Sequence, residues 1–447
     1  MNIGSPTQSV DNCFIDLSDA SIFGCNNTNG SPQDDVTVNI YKTAHNSDNS
    51  YPNPVPTDGD ELLNNIGPEN FAIQAVYGGG NLADYAPANT TNTTTVHIHE
   101  CDQNTIMDVF GGSNKASAQN THVIIDGGRI KRIFGGGNGE HGPAPVVGTA
   151  WTEINAGLII QVFGGSNNNG NIGFINLVIN QSTTCPELIY EVFSGSNQAP
   201  LFGDVVSNLV GNCYDPDHPT TPDRYYYYGG TNLAPLYGNV TVNVYGGYYV
   251  NVFGGSKGYV DPNNENNNVS ANIMRYPTVD ELATNPGDYP EGLAAYLADQ
   301  YNHGNNLYGT GGNVTLNLYG GKVENAYGGS DVLGSIDGKI TVNVEEGGGN
   351  SSIQRCDLDL TNVYGGGNET EYNPSTAIVG ADRLVPEVNV FEGTVKENVF
   401  GGGKGQGATT YGNPVVTIGD LNNTSPVAIV GSSPANGTPY GNVYGGG

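Results

Sequence analysis

Two hydrophobic patterns recur together along this chain. The segments NVTVNVYGGYYVNVFGGSK (Asn239 to Lys257) and NVTLNLYGGKVENAYGGSD (Asn313 to Asp331) align without a gap. In the first pattern Val240, Val242 and Val244 match Val314, Leu316 and Leu318, with Thr and Asn between them. Strict alternation is the signature of a half-buried strand. After a Gly-Gly turn comes a second β-prone piece whose apolar positions lie three apart: Tyr249 and Val252, Val323 and Ala326, Ile130 and Ile133. That spacing does not fit one flat strand, so the chain is expected to bend there. Each unit reads strand, Gly turn, bent strand, Gly turn, with Gly expected to supply positive φ at the corners.

The motif closing each unit begins at Ile22, Val76, Val109, Ile133, Val162, Val192, Tyr227, Val252, Ala326, Val363, Val399 and Val443, in forms such as VYGGGN, VFGGSN and VFGGSK. A two-strand unit cannot bury its apolar face alone, but stacking it on its neighbours closes a continuous interior. The prediction is an all-β fold: a single right-handed parallel β-helix of about a dozen coils spanning 1–447, with 1–21 as an N-terminal lead-in. Handedness follows the general rule for parallel connections. Intervals of 24, 29 and 30 residues between Phe110, Phe134, Phe163 and Phe193 are too short for the roughly 40-residue blades of a propeller. An antiparallel sandwich would need hairpins between successive strands. Asn114, Asn138, Asn167, Asn197 and Asn368 follow the glycines and are expected to form amide ladders.

Where the period stretches, the added residues follow the glycine turn: 42–69, 139–149, 211–226, 258–306, 369–385, 403–413 and 422–440. These insertions are expected on one lateral face, where repeat proteins carry function. The largest, 258–306, contains a helical stripe of Leu293, Tyr296, Leu297 and Tyr301 that should pack on the rod.

Composition narrows the function classes. With 14 basic against 44 acidic side chains the formal charge is −30, which repels phosphate backbones and anionic headgroups. Nucleic acid is therefore not expected as a partner. No stretch approaches the roughly 18 apolar residues that cross a bilayer, so no membrane insertion is expected in this segment. The opening lacks the regions of a secretion signal, and the chain stops within a repeat at Val443–Gly447; it reads as an excised piece whose targeting and anchoring ends lie elsewhere. The six cysteines show no CxxC spacing. By proximity, Cys13/Cys25 and Cys185/Cys213 are the disulfide candidates.

From Ile22 to its end the chain resembles the right-handed β-helix family, and more closely the Gly-rich VFGGGN/VYGGGN repeat proteins of gut-type bacterial surfaces. The resemblance implies an exported rod, extracellular or at the cell surface. It leaves function open among adhesins, phage tailspikes and polysaccharide-cleaving enzymes. Pieces of the polygalacturonase motifs occur as Gln33-Asp34-Asp35, Arg129-Ile130-Lys131 and His141-Gly142. Here His-Gly follows Arg-Ile-Lys instead of preceding it, Asn-Thr-Asp is missing, and Ile130 is already a core position, so no catalytic residue is assigned.

Binding chemistry has three candidates. His97, His99 and Cys101 in TVHIHEC project from one face of a strand, a trio able to hold a transition metal. Asp58-Gly59-Asp60-Glu61, and Asp261 with Glu265, offer oxygens suited to calcium, although neither has EF-hand spacing; solvated loops without a cofactor are the expectation. The ring of each VFGG copy either faces outward as a sugar-binding ribbon or fills a wide corner of the core. The cluster Tyr225, Tyr226, Tyr227, Tyr228, Tyr237, Tyr245, Tyr248 and Tyr249 is the favoured glycan contact. The chain reads as an extracellular or cell-surface adhesive rod that meets a glycan or a host surface protein. A polysaccharide-degrading hydrolase or lyase, and a phage tail-fibre module, are the alternatives.

Overall fold

The computed structural model describes residues 1–3, 17–43, 71–99, 101, 104–180, 185, 187–211, 213, 224–374, 384–419, 427–431 and 441–446. The fold is mostly β, with its main strands paired in parallel ladders: a parallel β-helix. The described residues group into two compact units. Unit 1 comprises Met1–Ala199, Asn208–Tyr227 and Gly247–Val250; unit 2 comprises Pro200–Ser207, Tyr228–Gly246 and Asn251–Gly447.

In unit 1 the alternating strands Val36–Ile40, Thr94–Ile98, Thr121–Ile125 and Val146–Ile154 stack in that order. Their inward Val38, Val96 and Val123 are fully buried. Bent strands Ile73–Tyr77, Thr105–Phe110, Arg129–Phe134, Gly157–Phe163 and Glu187–Phe193 form the second ladder. A short third side is marked by the parallel bridges Tyr85–Ala118 and Ala118–Val146.

Unit 2 repeats the scheme. Val240–Val244, Val314–Leu318, Ile340–Glu345 and the start of Glu387–Phe400 stack with Val242, Leu316, Val342 and Val388 inward and fully buried. Burying each such side chain contributes roughly 1.5–3 kcal/mol. The three-residue spacing does mark a bend: Val323 and Ala326 are buried, Glu324 and Asn325 between them both face outward, and pairing with Leu358–Tyr364 skips the Glu324 position. The third side is the parallel ladder Leu201–Phe202, Leu236–Tyr237, Ile273–Met274. Over it lies the insertion helix Leu293–Asn302. Leu293 and Leu297 bury against Phe202, Tyr237 and Tyr276, whereas Tyr301 stays exposed.

The positive-φ expectation holds at the turn before the bent strand, where Gly128, Gly247 and Gly321 have left-handed φ, and fails at the turn after it. Gly78, Gly111 and Gly135 are not among the glycines with left-handed φ. Each lies against its successor: a Cβ on Gly111 would sit 2.4 Å from the Gly135 carbonyl oxygen, and one on Gly135 the same distance from that of Gly164. Hydrogen bonds between coils run straight through this corner, from Gly78 N–H to Phe110 O and from Gly111 N–H to Phe134 O. At this second corner glycine is needed for close approach of backbones, not for unusual dihedrals.

The cysteine pairing also differs from the proximity expectation. Cys101 is joined to Cys185, 84 residues away, with Cα atoms 5.2 Å apart. Cys25 is free and buried, its thiol pushed up to about 12 by burial; Cys13 lies outside the described residues. Cys213 is disulfide-bonded, as is Cys356.

Candidate functional site: a polar groove in unit 1

The aromatic residue of each repeat turns into the corner, which settles where the rings go. Phe23, Tyr77, Phe110, Phe134, Phe163 and Phe193 stack face to face in unit 1, with centroids 4.7–4.9 Å apart. Tyr228, Phe253, Tyr327, Tyr364, Phe400 and Tyr444 stack likewise in unit 2, at 4.6–5.1 Å. The spacing is the coil rise, so the rings form offset stacks that repeat with the backbone. Within the tyrosine cluster, Tyr227, Tyr228, Tyr237, Tyr245, Tyr248 and Tyr249 are all buried. Tyr237 lies beneath the insertion helix, and the Tyr228 hydroxyl donates to Asp331 at 2.8 Å. Only Tyr226 is half-exposed; the side chain of Tyr225 lies outside the described residues. A ring with both faces covered cannot stack on a sugar.

What the sequence reading did not assemble is a polar groove of about 450 Å³. Two columns of outward side chains build it. The first comprises residues just before the aliphatic position of each motif, held in register by the bent-strand ladder: Ala75, Asp108 and Arg132 line the groove, and buried Gln161 and Glu191 continue the column beyond it. Arg132 donates from Nε to Asp108 Oδ1 and from Nη2 to Oδ2, both at 2.7 Å. Such a bidentate pair fixes both planes. Burial opposes the guanidinium charge, but Asp108 outweighs it and holds the Arg132 pKa above its ordinary value. One coil further, Gln161 donates to Glu191 at 2.7 Å.

The second column is the corner asparagines. Asn81 donates to Asn27, Asn114 to Asn81, Asn138 to Asn114, Asn167 to Asn138 and Asn197 to Asn167, at 2.8–3.0 Å. The expected ladder is present; Asn368 instead donates to Asp331, at 2.9 Å. A ladder consumes one N–H and one oxygen lone pair per amide, so the column presents amide groups along the groove with further hydrogen-bonding capacity. Between the columns lies the Tyr77 hydroxyl, which accepts from Asn138 at 3.3 Å. Burial, reinforced by the Asp108 charge, pushes its pKa above the phenol range. Exposed Glu140 and His141 close one end of the groove.

The remaining candidates lie elsewhere. His97 and His99 share an outward face as expected, but the disulfide takes the Cys101 sulfur, and Asp126 stands beside them instead. Ile130 is fully buried. Asp35 accepts from the Thr93 N–H, at the turn before strand Val36–Ile40. The Asp261 carboxylate is held by Asn267 and by the backbone of Asn263 and Asn264, which together lower its pKa. Asp58 to Glu61 lie outside the described residues. Among the described residues no helix is long and apolar enough to cross a membrane.

Compared with protein-family models, curated proteins and solved structures, the chain matches none.

Proposed function

We propose that this protein is an extracellular or cell-surface adhesive solenoid whose unit 1 groove binds a glycan. The observation that carries the reading is the ladder of asparagines facing a fixed Arg132–Asp108 pair. Sugars are recognised by planar polar groups that pair with neighbouring hydroxyls. Here side-chain amides recur at every coil, a spacing close to the length of a sugar ring. The acidic surface favours a neutral or cationic glycan over a polyuronate. The Cys101–Cys185 disulfide supports export, since such bonds persist in oxidising compartments.

Screening the protein against a glycan array, followed by calorimetric titration of any hit, tests the proposal. Exposed Glu140→Ala and His141→Ala should each weaken binding several-fold while leaving the fold intact. Absence of any glycan ligand, or a hit indifferent to both substitutions, overturns it. A polysaccharide-cleaving role draws support from two carboxylates in the groove, Asp108 and Glu140. Asp108 is committed to Arg132, which leaves one free acid where glycoside hydrolysis uses a pair. Reducing ends or unsaturated products released from a polysaccharide panel would favour the enzyme.

A further inference from the structure

Outside the groove, unit 1 carries a second cluster whose chemistry is that of a cation ligand set. His97 and His99 lie two residues apart at the end of strand Thr94–Ile98, so both imidazoles project to the same side. Their ring centroids are 3.6 Å apart. Asp126 enters from the turn after strand Thr121–Ile125 on the next coil, its Oδ2 2.6 Å from His97 Nε2. One ligand atom from each of the three falls within 4.8 Å of the others, and all three residues are half-buried.

Neighbouring groups hold each member in place. Asn155 donates to Asp126 Oδ1 at 2.8 Å, and Asn180 donates to Asn155 Oδ1 at 2.9 Å, which turns the other carboxylate oxygen toward the histidines. His99 Nε2 lies 3.1 Å from Asn39 Oδ1, and its ring stacks on Tyr41 at 4.3 Å. Two residues beyond His99, the disulfide at Cys101 ties down the end of this segment. Orienting partners of this kind are what fixed ligands have around a metal.

We infer that His97, His99 and Asp126 form a site for a divalent transition-metal ion, with a fourth position open to solvent. Two imidazoles and one carboxylate suit zinc, copper or nickel rather than calcium, which prefers six or more oxygens. Zinc arms of about 2.0–2.1 Å need ligand atoms roughly 3.3 Å apart. The His97–Asp126 contact widens by less than an ångström to admit the ion, a change within reach of side-chain rotation on an outward face. The inference is independent of glycan binding.

The test is titration of the chelator-treated chain with Zn²⁺ alone by calorimetry, with Co²⁺ as a spectroscopic probe. One ion per chain at a dissociation constant of about 1–10 μM is expected, with cobalt absorption of the intensity given by four-coordinate sites. His99→Gln and Asp126→Asn should each weaken zinc at least about tenfold, whereas His122→Gln, on the neighbouring coil, should not. Thermal unfolding of the metal-free variants shows that the losses come from the site and not from the fold. Wild-type affinity weaker than about 100 μM, or variants that bind as wild type does, overturns the assignment.

Discussion

The two units solve the same packing problem with opposite surface codes. In unit 1 the column before the aliphatic position is mixed and charged, Asp108, Arg132, Gln161, Glu191, while the corner column is pure asparagine. In unit 2 the roles are exchanged. Asn251, Asn325, Asn362, Asn398 and Asn442 form an amide ladder before the aliphatic position, at 3.0–3.3 Å. Its corner column reads Lys257, Asp331, Asn368, Lys404. A third run, Asn243, Asn317, Asn343, Asn389, climbs the alternating strands at 2.8–3.0 Å. An amide donates to its successor and accepts from its predecessor, so a column of asparagines is satisfied by repetition alone. A charged column is satisfied only in particular pairs. Before the aliphatic position, unit 2 is thus tolerant of which copy lies next to which, and unit 1 is not; at the corner the reverse holds.

The largest expected effect comes from breaking a pair that exists only in unit 1. Arg132→Met leaves Asp108, 12 % exposed at its side chain, without its partner and should destabilise the protein by about 3 kcal/mol. Adding Asp108→Asn to Arg132→Asn copies the unit 2 solution and should recover most of that loss. Urea unfolding followed by far-ultraviolet circular dichroism reads both; equal stability of R132M and wild type would show the pair to be ornamental.

The skeleton common to both units should respond alike. Gly135→Ala places a Cβ 2.4 Å from the Gly164 carbonyl oxygen, and Gly365→Ala places one 2.2 Å from that of Gly401. Each should lose about 1–3 kcal/mol, seen as matching drops in melting temperature. A clear difference between the two would mean that one unit's corner relaxes. Smaller again is Asn317→Ala, which removes one donated and one accepted bond from the unit 2 ladder. About 1 kcal/mol is expected, and His122→Ala in the non-repeating unit 1 face should not reproduce it.

The smallest effect concerns the insertion of unit 2. Arg275 holds Glu281 at 2.6 and 2.8 Å, with Thr278 completing the helix cap. The Arg275 hydrogen bond, then those from Thr278, lower the Glu281 pKa to about 2. Because the folded value lies below the unfolded one, this contribution is full above about pH 5 and fades as pH falls toward 2. With Glu281 40 % exposed, solvent screening limits it to about 0.5 kcal/mol. Glu281→Gln should flatten that part of the acid-unfolding curve measured by hydrogen exchange in Val279–Thr284.

Much of the skeleton was legible because stacking forces like residues onto like. The alternation at Val240, Val242 and Val244, the bend at Val323 and Ala326, and the Asn114 to Asn197 ladder all follow from period and register. The groove was not legible in the same way, since it gathers residues from Ser21 to Gln198 across successive coils. Its signal was nonetheless present: with the motifs aligned, Asp108 and Arg132 occupy the same place one coil apart. For the aromatic of each motif, outward and corner positions share one sequence parity, so both readings stayed open until the stack placed the rings in the corner. Cys101–Cys185 escaped because sequence distance is a poor guide where coils bring remote loops together.

That disulfide has a mechanical consequence. Cys101 follows the alternating strand of one coil, and Cys185 precedes the bent strand of the coil three further on. A β-helix pulled from its ends peels one coil at a time, like tape from a roll. Here the unwinding front halts at the staple, withholding 84 residues, roughly 280 Å of extended chain, from the applied force until the bond is reduced.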